Sequence, residues 1–283
     1  MKVLKYYLSL AVILFITASC TKHDMTFTGQ IKFDPATQSA FQLHYFVPIL
    51  TADSNYIKMV KLNDEIIYRT NIATFNAAPS GAVGKFFYAP KGKSNIKLYF
   101  RKESAPDYTL VYDKDVTLDA GVYYNIFVHD FNKESVIINN DYPYTKDPIH
   151  QDSCGYVKFY NFMYDTVNVP TTLKLQYKRQ DHFTGQWVNV GPPVAFGECT
   201  GWQPVIVKRP AGVIPGNIRV DYMIDVIDAA GNSSTLRRMN ASGAYADYTD
   251  YWSCQIGRHY HHIFSGYRTD KTIRAEVRLF TAW

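Results

Sequence analysis

Charge is scarce in this 283-residue chain, where Asp, Glu, Lys and Arg make up 19% of the residues. No run of Lys and Arg exceeds two, so the electrostatic footprint of a nucleic-acid binder is missing. Glycine (16) and proline (13) are outnumbered by tyrosine (23), which excludes a collagen-like or low-complexity chain. With 47% hydrophobic and 16% aromatic residues, disorder is excluded as well. Amphipathic helical periodicity is absent after the N-terminal segment. So are a Gly-x-Ser-x-Gly elbow, a phosphate-cradling glycine loop, a dinucleotide fingerprint and an HExxH helix. Nothing supplies a nucleophile together with a base, so no enzyme and no cofactor are expected.

The N-terminus carries the most specific signal. Lys2 and Lys5 precede an apolar stretch from Tyr6 to Ile16, then the small residues Thr17, Ala18 and Ser19, then Cys20. That order reads as a secretory signal too short to span a membrane. Ile16-Thr17-Ala18-Ser19-Cys20 resembles a bacterial lipobox of the bacteroidete kind, with Thr17 where Leu is usual. The resemblance implies cleavage after residue 19, lipidation of Cys20 and anchoring to the outer membrane by lipid alone. Thr21-Lys22-His23-Asp24 lacks an acidic run of the surface-export kind, so periplasmic and surface-facing orientations both stay open. Removing residues 1–19 takes out two lysines and leaves 28 basic against 25 acidic residues, a balance of +3.

Beyond the signal, apolar positions alternate with the period of half-buried strands. In Asn95–Lys102, Ile96, Leu98 and Phe100 share one face. Val122–His129 is apolar on both faces, as a central strand would be. Asn63-Asp64-Glu65 forms a tight turn, and Pro90–Ser94 a second one linking Lys85–Ala89 to Asn95–Arg101. Turn signals recur about every 8–12 residues, the spacing of a sandwich or barrel. Residues 133–153, with Asn139-Asn140-Asp141 and Asp147-Pro148, read as a linker. A second strand series opens at Tyr156–Tyr160 and closes at Ile273–Phe280. Gly121–Phe127 resembles Gly257–Phe264 with one extra residue in the second copy.

Val60-Lys61-Leu62-Asn63, Ala89-Pro90-Lys91-Gly92 and Thr117–Tyr124 together resemble the DUF4397-type bacterial domain. The likeness covers residues 57–130 and implies an extracytoplasmic, immunoglobulin-like β-sandwich without implying an activity. The expected fold is all-β, with two tandem immunoglobulin-like antiparallel β-sandwiches. Residues 1–19 are the signal peptide, 20–26 the lipidated tether, 27–132 the first sandwich, 133–153 the linker and 154–283 the second sandwich. A terminal Arg278–Trp283 segment resembles the closing strand of an outer-membrane barrel, but the strands read as too short.

For chemistry, three cysteines remain after Cys20. In an oxidising compartment one disulfide is expected, Cys199–Cys254 first, with Cys154 as the next partner. His259 and His261 share a strand face, but their spacing matches no zinc motif; polar, solvated histidines and no metal are expected. The aromatic and acidic stretch Gly243–Trp252 is read as a loop that stacks on a ligand and accepts hydroxyl hydrogen bonds. Its candidate contacts are Tyr245, Tyr248, Asp250, Tyr251 and Trp252, with Trp202 and Trp187 in other turn-rich segments able to join. The functional expectation is an envelope lipoprotein that recognises a glycan, peptide or partner protein through the second sandwich. The alternative is a structural or assembly subunit.

Overall fold

The computed structural model describes residues 33–49, 56–79, 86–101, 107–141, 154–181, 184–206 and 217–282. The signal, Cys20 and the tether lie outside them. Every regular element among the described residues is a strand. None of these residues forms a helix long and apolar enough to cross a membrane.

Among the described residues the first half holds nine strands: β1 (Gln38–Tyr45), β2 (Ile57–Leu62), β3 (Glu65–Tyr68), β4 (Asn76–Ala78), β5 (Phe87–Pro90), β6 (Gly92–Phe100), β7 (Thr109–Leu118), β8 (Tyr123–Val128) and β9 (Val136–Asn139). One sheet runs β4-β1-β8-β9, with β5 also on β1; the other runs β3-β2-β6-β7. The alternation in β6 buries Ile96 and Leu98 and turns Lys97 outward. Asn63 and Asp64 take φ of 49° and 67°, the left-handed geometry of a tight hairpin turn, between β2 and β3. Pro90–Ser94 links two strands, as expected, but those strands belong to different sheets. β5 pairs with β1 and β6 with β2 and β7, so the chain changes sheets at Gly92, whose φ is 98°.

The second half repeats this plan with β10 (Cys154–Thr166), β11 (Val169–Pro170), β12 (Lys174–Gln180), β13 (Trp187–Asn189), β14 (Cys199–Ile206), β15 (Asn217–Ile227), β16 (Ser233–Thr235), β17 (Arg237–Met239), β18 (Tyr245–Asp247), β19 (Thr249–Gln255), β20 (His259–Tyr267) and β21 (Glu276–Thr281). One sheet runs β11-β10-β20-β21 with β14 on β10; the other runs β13-β12-β15-β16 with β19 on β15. Strands β17 and β18 form a separate ribbon. In each half the opening strand lies parallel to a late one, β1 to β8 and β10 to β20.

The correspondence extends to single hydrogen bonds. Gly121 N–H donates to Gln38 O at 2.8 Å and Ala40 N–H to Val122 O at 3.0 Å. Gly257 N–H donates to Cys154 O at 2.8 Å and Tyr156 N–H to Arg258 O at 2.8 Å. The Tyr124 hydroxyl accepts from Asp119 N–H at 3.2 Å, and the Tyr260 hydroxyl from Gln255 N–H at 3.1 Å. Both glycines take positive φ, 74° and 77°, which favours a residue without Cβ. These bonds align Gly121 with Gly257 and Tyr124 with Tyr260 directly, so the extra residue read in the second copy is not there.

Each half has its own core, one built from residues 41–128 and one from residues 157–275. A third cluster, Phe46, Phe127, Tyr160, Phe162 and Ile263, takes residues from both. The β1 and β10 sheets therefore face each other, and the sheets lie in four layers. Phe127 stacks on Phe162 with ring centroids 4.6 Å apart. Residues 34–283 form one compact unit. The described part of the expected linker is also structured: Val136–Asn139 is β9, paired with β8. A chain segment that supplies ladder partners to a central strand is held by its backbone, whatever its Asn and Asp content.

Candidate functional site

The stretch read as an aromatic loop is two strands, β18 and β19, and strand alternation separates its residues. Trp252 is buried, 4.7 Å from the rings of Tyr260 and His262. Tyr248 is buried too; its hydroxyl lies 3.0 Å from that of Tyr222 and accepts from Val277 N–H at 3.0 Å. Burial pushes its phenol up to about 12. Both belong to the second core and are withdrawn as ligand contacts. Tyr245 is 42% exposed but sits on the β17–β18 ribbon. Trp202 lies on β14, in a different sheet, with its ring 5.0 Å from His261 and 5.3 Å from His259.

Tyr251 and Asp250 remain, and they meet residues from three other strands. An open depression of about 510 Å³ lies on the outermost sheet, lined by Gln180, Trp187, Arg219, Asp221, Tyr222, Thr249, Asp250 and Tyr251. Register explains the grouping. Gln180 lies opposite Trp187 and Asp221 opposite Tyr251, while β12 and β15 pair so that Arg179 meets Tyr222. The outward residues of β13, β12, β15 and β19 therefore form one row: Trp187, Gln180, Asp221, Tyr251. The row is aromatic at both ends and polar in the middle. Trp187 is 39% and Tyr251 57% exposed, a large apolar area to leave on a sheet face.

The middle of the row is pre-arranged. Arg219 donates to Asp221 Oδ1 from Nε at 3.0 Å and from Nη2 at 2.7 Å. The same guanidinium lies 3.9 Å from the centre of the Tyr251 ring, a cation–π contact that fixes the ring. The Asp221 carboxylate raises the Arg219 pKa, chiefly through that hydrogen bond. Asp250 accepts from Tyr251 N–H at 2.8 Å and from the Tyr222 hydroxyl at 3.4 Å. Such a surface offers two ring faces and several fixed donors and acceptors, and no nucleophile paired with a base.

The histidines are not solvated as expected. His259, His261 and His262 are all buried, because the inner β20 sheet is covered on both faces. His262 is held down to about 3 and His259 to about 4, both by burial; His261 is driven well below the ordinary value for the same reason. Between the two inner sheets runs a polar chain. His44 Nε2 and Asn125 Oδ1 are 3.2 Å apart, Asn125 Nδ2 donates to the Tyr160 hydroxyl at 3.3 Å, and that hydroxyl lies 2.8 Å from His261 Nδ1. Lys158 reaches across to donate to Asn139 O at 2.7 Å. No group of three or more His, Cys, Asp or Glu is placed to hold a metal ion among the described residues.

The expected Cys199–Cys254 disulfide is not formed. Cys199 lies on β14 in the inner sheet and Cys254 on β19 in the outer one. The Cys254 sulfur fills the space over Gly155, and burial pushes its thiol up to about 12.

No family model and no curated protein matches the chain. Of the residues that line the depression, Gln180, Arg219, Asp221 and Tyr222 escaped the sequence reading. Their one signal is alternation: in β15, Arg219 and Asp221 flank the buried Val220, and Tyr222 follows inward.

Proposed function

We propose that this chain is a cell-envelope lipoprotein, tethered to the outer membrane through a lipidated Cys20, and that it acts as a recognition module for a glycan. In this reading residues 27–132 and 154–283 are tandem immunoglobulin-like sandwiches of the DUF4397-like kind, and the second one carries the site. No catalytic role is assigned. The observation that carries the reading is the row Trp187–Gln180–Asp221–Tyr251 across the outermost sheet. Aromatic faces stack on the apolar faces of sugar rings, and amide and carboxylate groups between them take the hydroxyls. A peptide recognised by strand addition would need a free sheet edge instead, and this site lies on a face.

The test is binding of the intact chain to a printed panel of glycans. Trp187→Ala and Tyr251→Ala are each expected to weaken the best ligand by about tenfold, from the stacking they remove. Tyr245→Ala, on the neighbouring ribbon, is expected to leave binding unchanged. Equal binding by all three variants overturns the site. Loss of fatty-acid labelling in Cys20→Ser checks the anchor.

A further inference from the structure

We infer that the outer face takes an uncharged oligosaccharide of about four units, lying across the strands with its end units on Trp187 and Tyr251. This rests on the glycan reading above and adds length, direction and charge to it.

Length follows from the sheet. Trp187 and Tyr251 stand on β13 and β19, with β12 and β15 between them, so they are three strand spacings apart. Three spacings come to about 14 Å, and with sugar centres about 5 Å apart along a chain, end units centred on both rings are about three steps apart, which takes four units. A disaccharide reaches one platform and the polar middle, but not both rings. Direction follows from the same row. Along β19 the outward neighbours of Tyr251 are Thr249 and Ser253, and along β13 the outward neighbour of Trp187 is Asn189, so neither strand offers a second ring in its own direction.

Charge follows from the lining. It holds one cation, Arg219, and two carboxylates, Asp221 and Asp250. The cation is already engaged twice, by Asp221 and by the Tyr251 ring. A uronic or sialic carboxylate would meet two like charges and an arginine already paired, which disfavours it. Hydroxyl groups meet a better match, because Gln180 brings both a donor and an acceptor and Asp221 keeps a second carboxylate oxygen.

The experiment titrates the intact chain with uncharged β-1,4-glucan oligomers and with oligogalacturonides, each of two to five units, beside the printed panel of neutral and acidic glycans. The expected result is a rise in affinity of tenfold or more between two and four units of an uncharged chain, then a plateau. Trp187→Ala and Tyr251→Ala should each reduce the longer oligomer to the affinity of the dimer. Both side chains are exposed, and an unchanged circular dichroism spectrum and melting midpoint confirm the fold of each variant. Equal affinity for two and four units, or tighter binding of the acidic series, overturns this inference while leaving the glycan reading intact. No binding to any glycan overturns both.

Discussion

The two halves share a scaffold and differ on their outer faces. The row Trp187–Gln180–Asp221–Tyr251 crosses β13, β12, β15 and β19; the corresponding strands of the first half, β3, β2, β6 and β7, carry Ile66, Lys61, Lys97 and Asp113 in register. The first face satisfies itself. Lys97 is 2.7 Å from Asp64, Lys93 is 2.7 Å from Asp115, and Asn95 donates to both Asp113 and Asp115. The second face leaves Trp187 and Tyr251 exposed, with the Arg219 guanidinium lying over the Tyr251 ring. A sheet face whose polar groups are paired among themselves offers a ligand little that water does not already supply, whereas exposed rings give up water at a gain. On the proposed reading, recognition belongs to what decorates the scaffold, and the scaffold alone does not predict it.

What the halves share is most open to attack at their buried seam. His44, His129 and His259 are held at about 4 against an ordinary 6.5, in each case chiefly by burial. An unfolded chain binds protons at these sites as pH falls below 6.5, while the native chain does so only near 4. The stability these sites contribute is thus fully present above 6.5 and is lost as pH falls from 6.5 to 4. Denaturant midpoints measured from pH 8 to pH 4 should fall steeply in that window. A flat profile breaks the view that both halves depend on one neutral interior.

A smaller effect separates the halves at matched positions. Ser39 and Gly155 follow the equivalent residues Gln38 and Cys154, yet a Cβ on Gly155 would come within 2.5 Å of the Cys254 sulfur and 2.7 Å of Gln255 O. Gly155→Ser should cost about 1–3 kcal/mol by overpacking, and Ser39→Gly about 1 kcal/mol or less. Chemical denaturation of the two variants reads the asymmetry. Smallest of all, Lys97→Ala on the first outer face should leave both glycan binding and the melting midpoint within error, since the ion pairs it breaks are solvated. A loss of binding there would move the site to the wrong half.

Much of the fold could be read in advance where one face of a strand is wet. Ile96 and Leu98 against Lys97 in β6, and the Asn63-Asp64 turn, are local patterns with local causes. The inner sheets hide theirs. Eleven consecutive residues of β10 and all nine of β20 are buried, so polar and apolar positions no longer alternate with exposure, and His259 to His262 look like surface residues until a second sheet covers them. Pro90–Ser94 was recognisable as a bend, but only the pairing partners of β5 and β6 show that it joins two sheets. The site was half legible. Adjacent aromatics such as Tyr251 and Trp252 point to opposite faces of one strand, and composition cannot tell which of them meets the solvent.

The parallel pairing of β1 with β8 has a mechanical meaning. A pull on the N-terminal end of β1, from any tether preceding residue 34, runs along the strand and not across it. The bonds over the six registered pairs from Ala40–Tyr123 to Tyr45–Val128 then bear the load together in shear, whereas a hairpin opened from its end yields one rung at a time. With β4 and β5 flanking its other edge, β1 is held on both sides against any such pull.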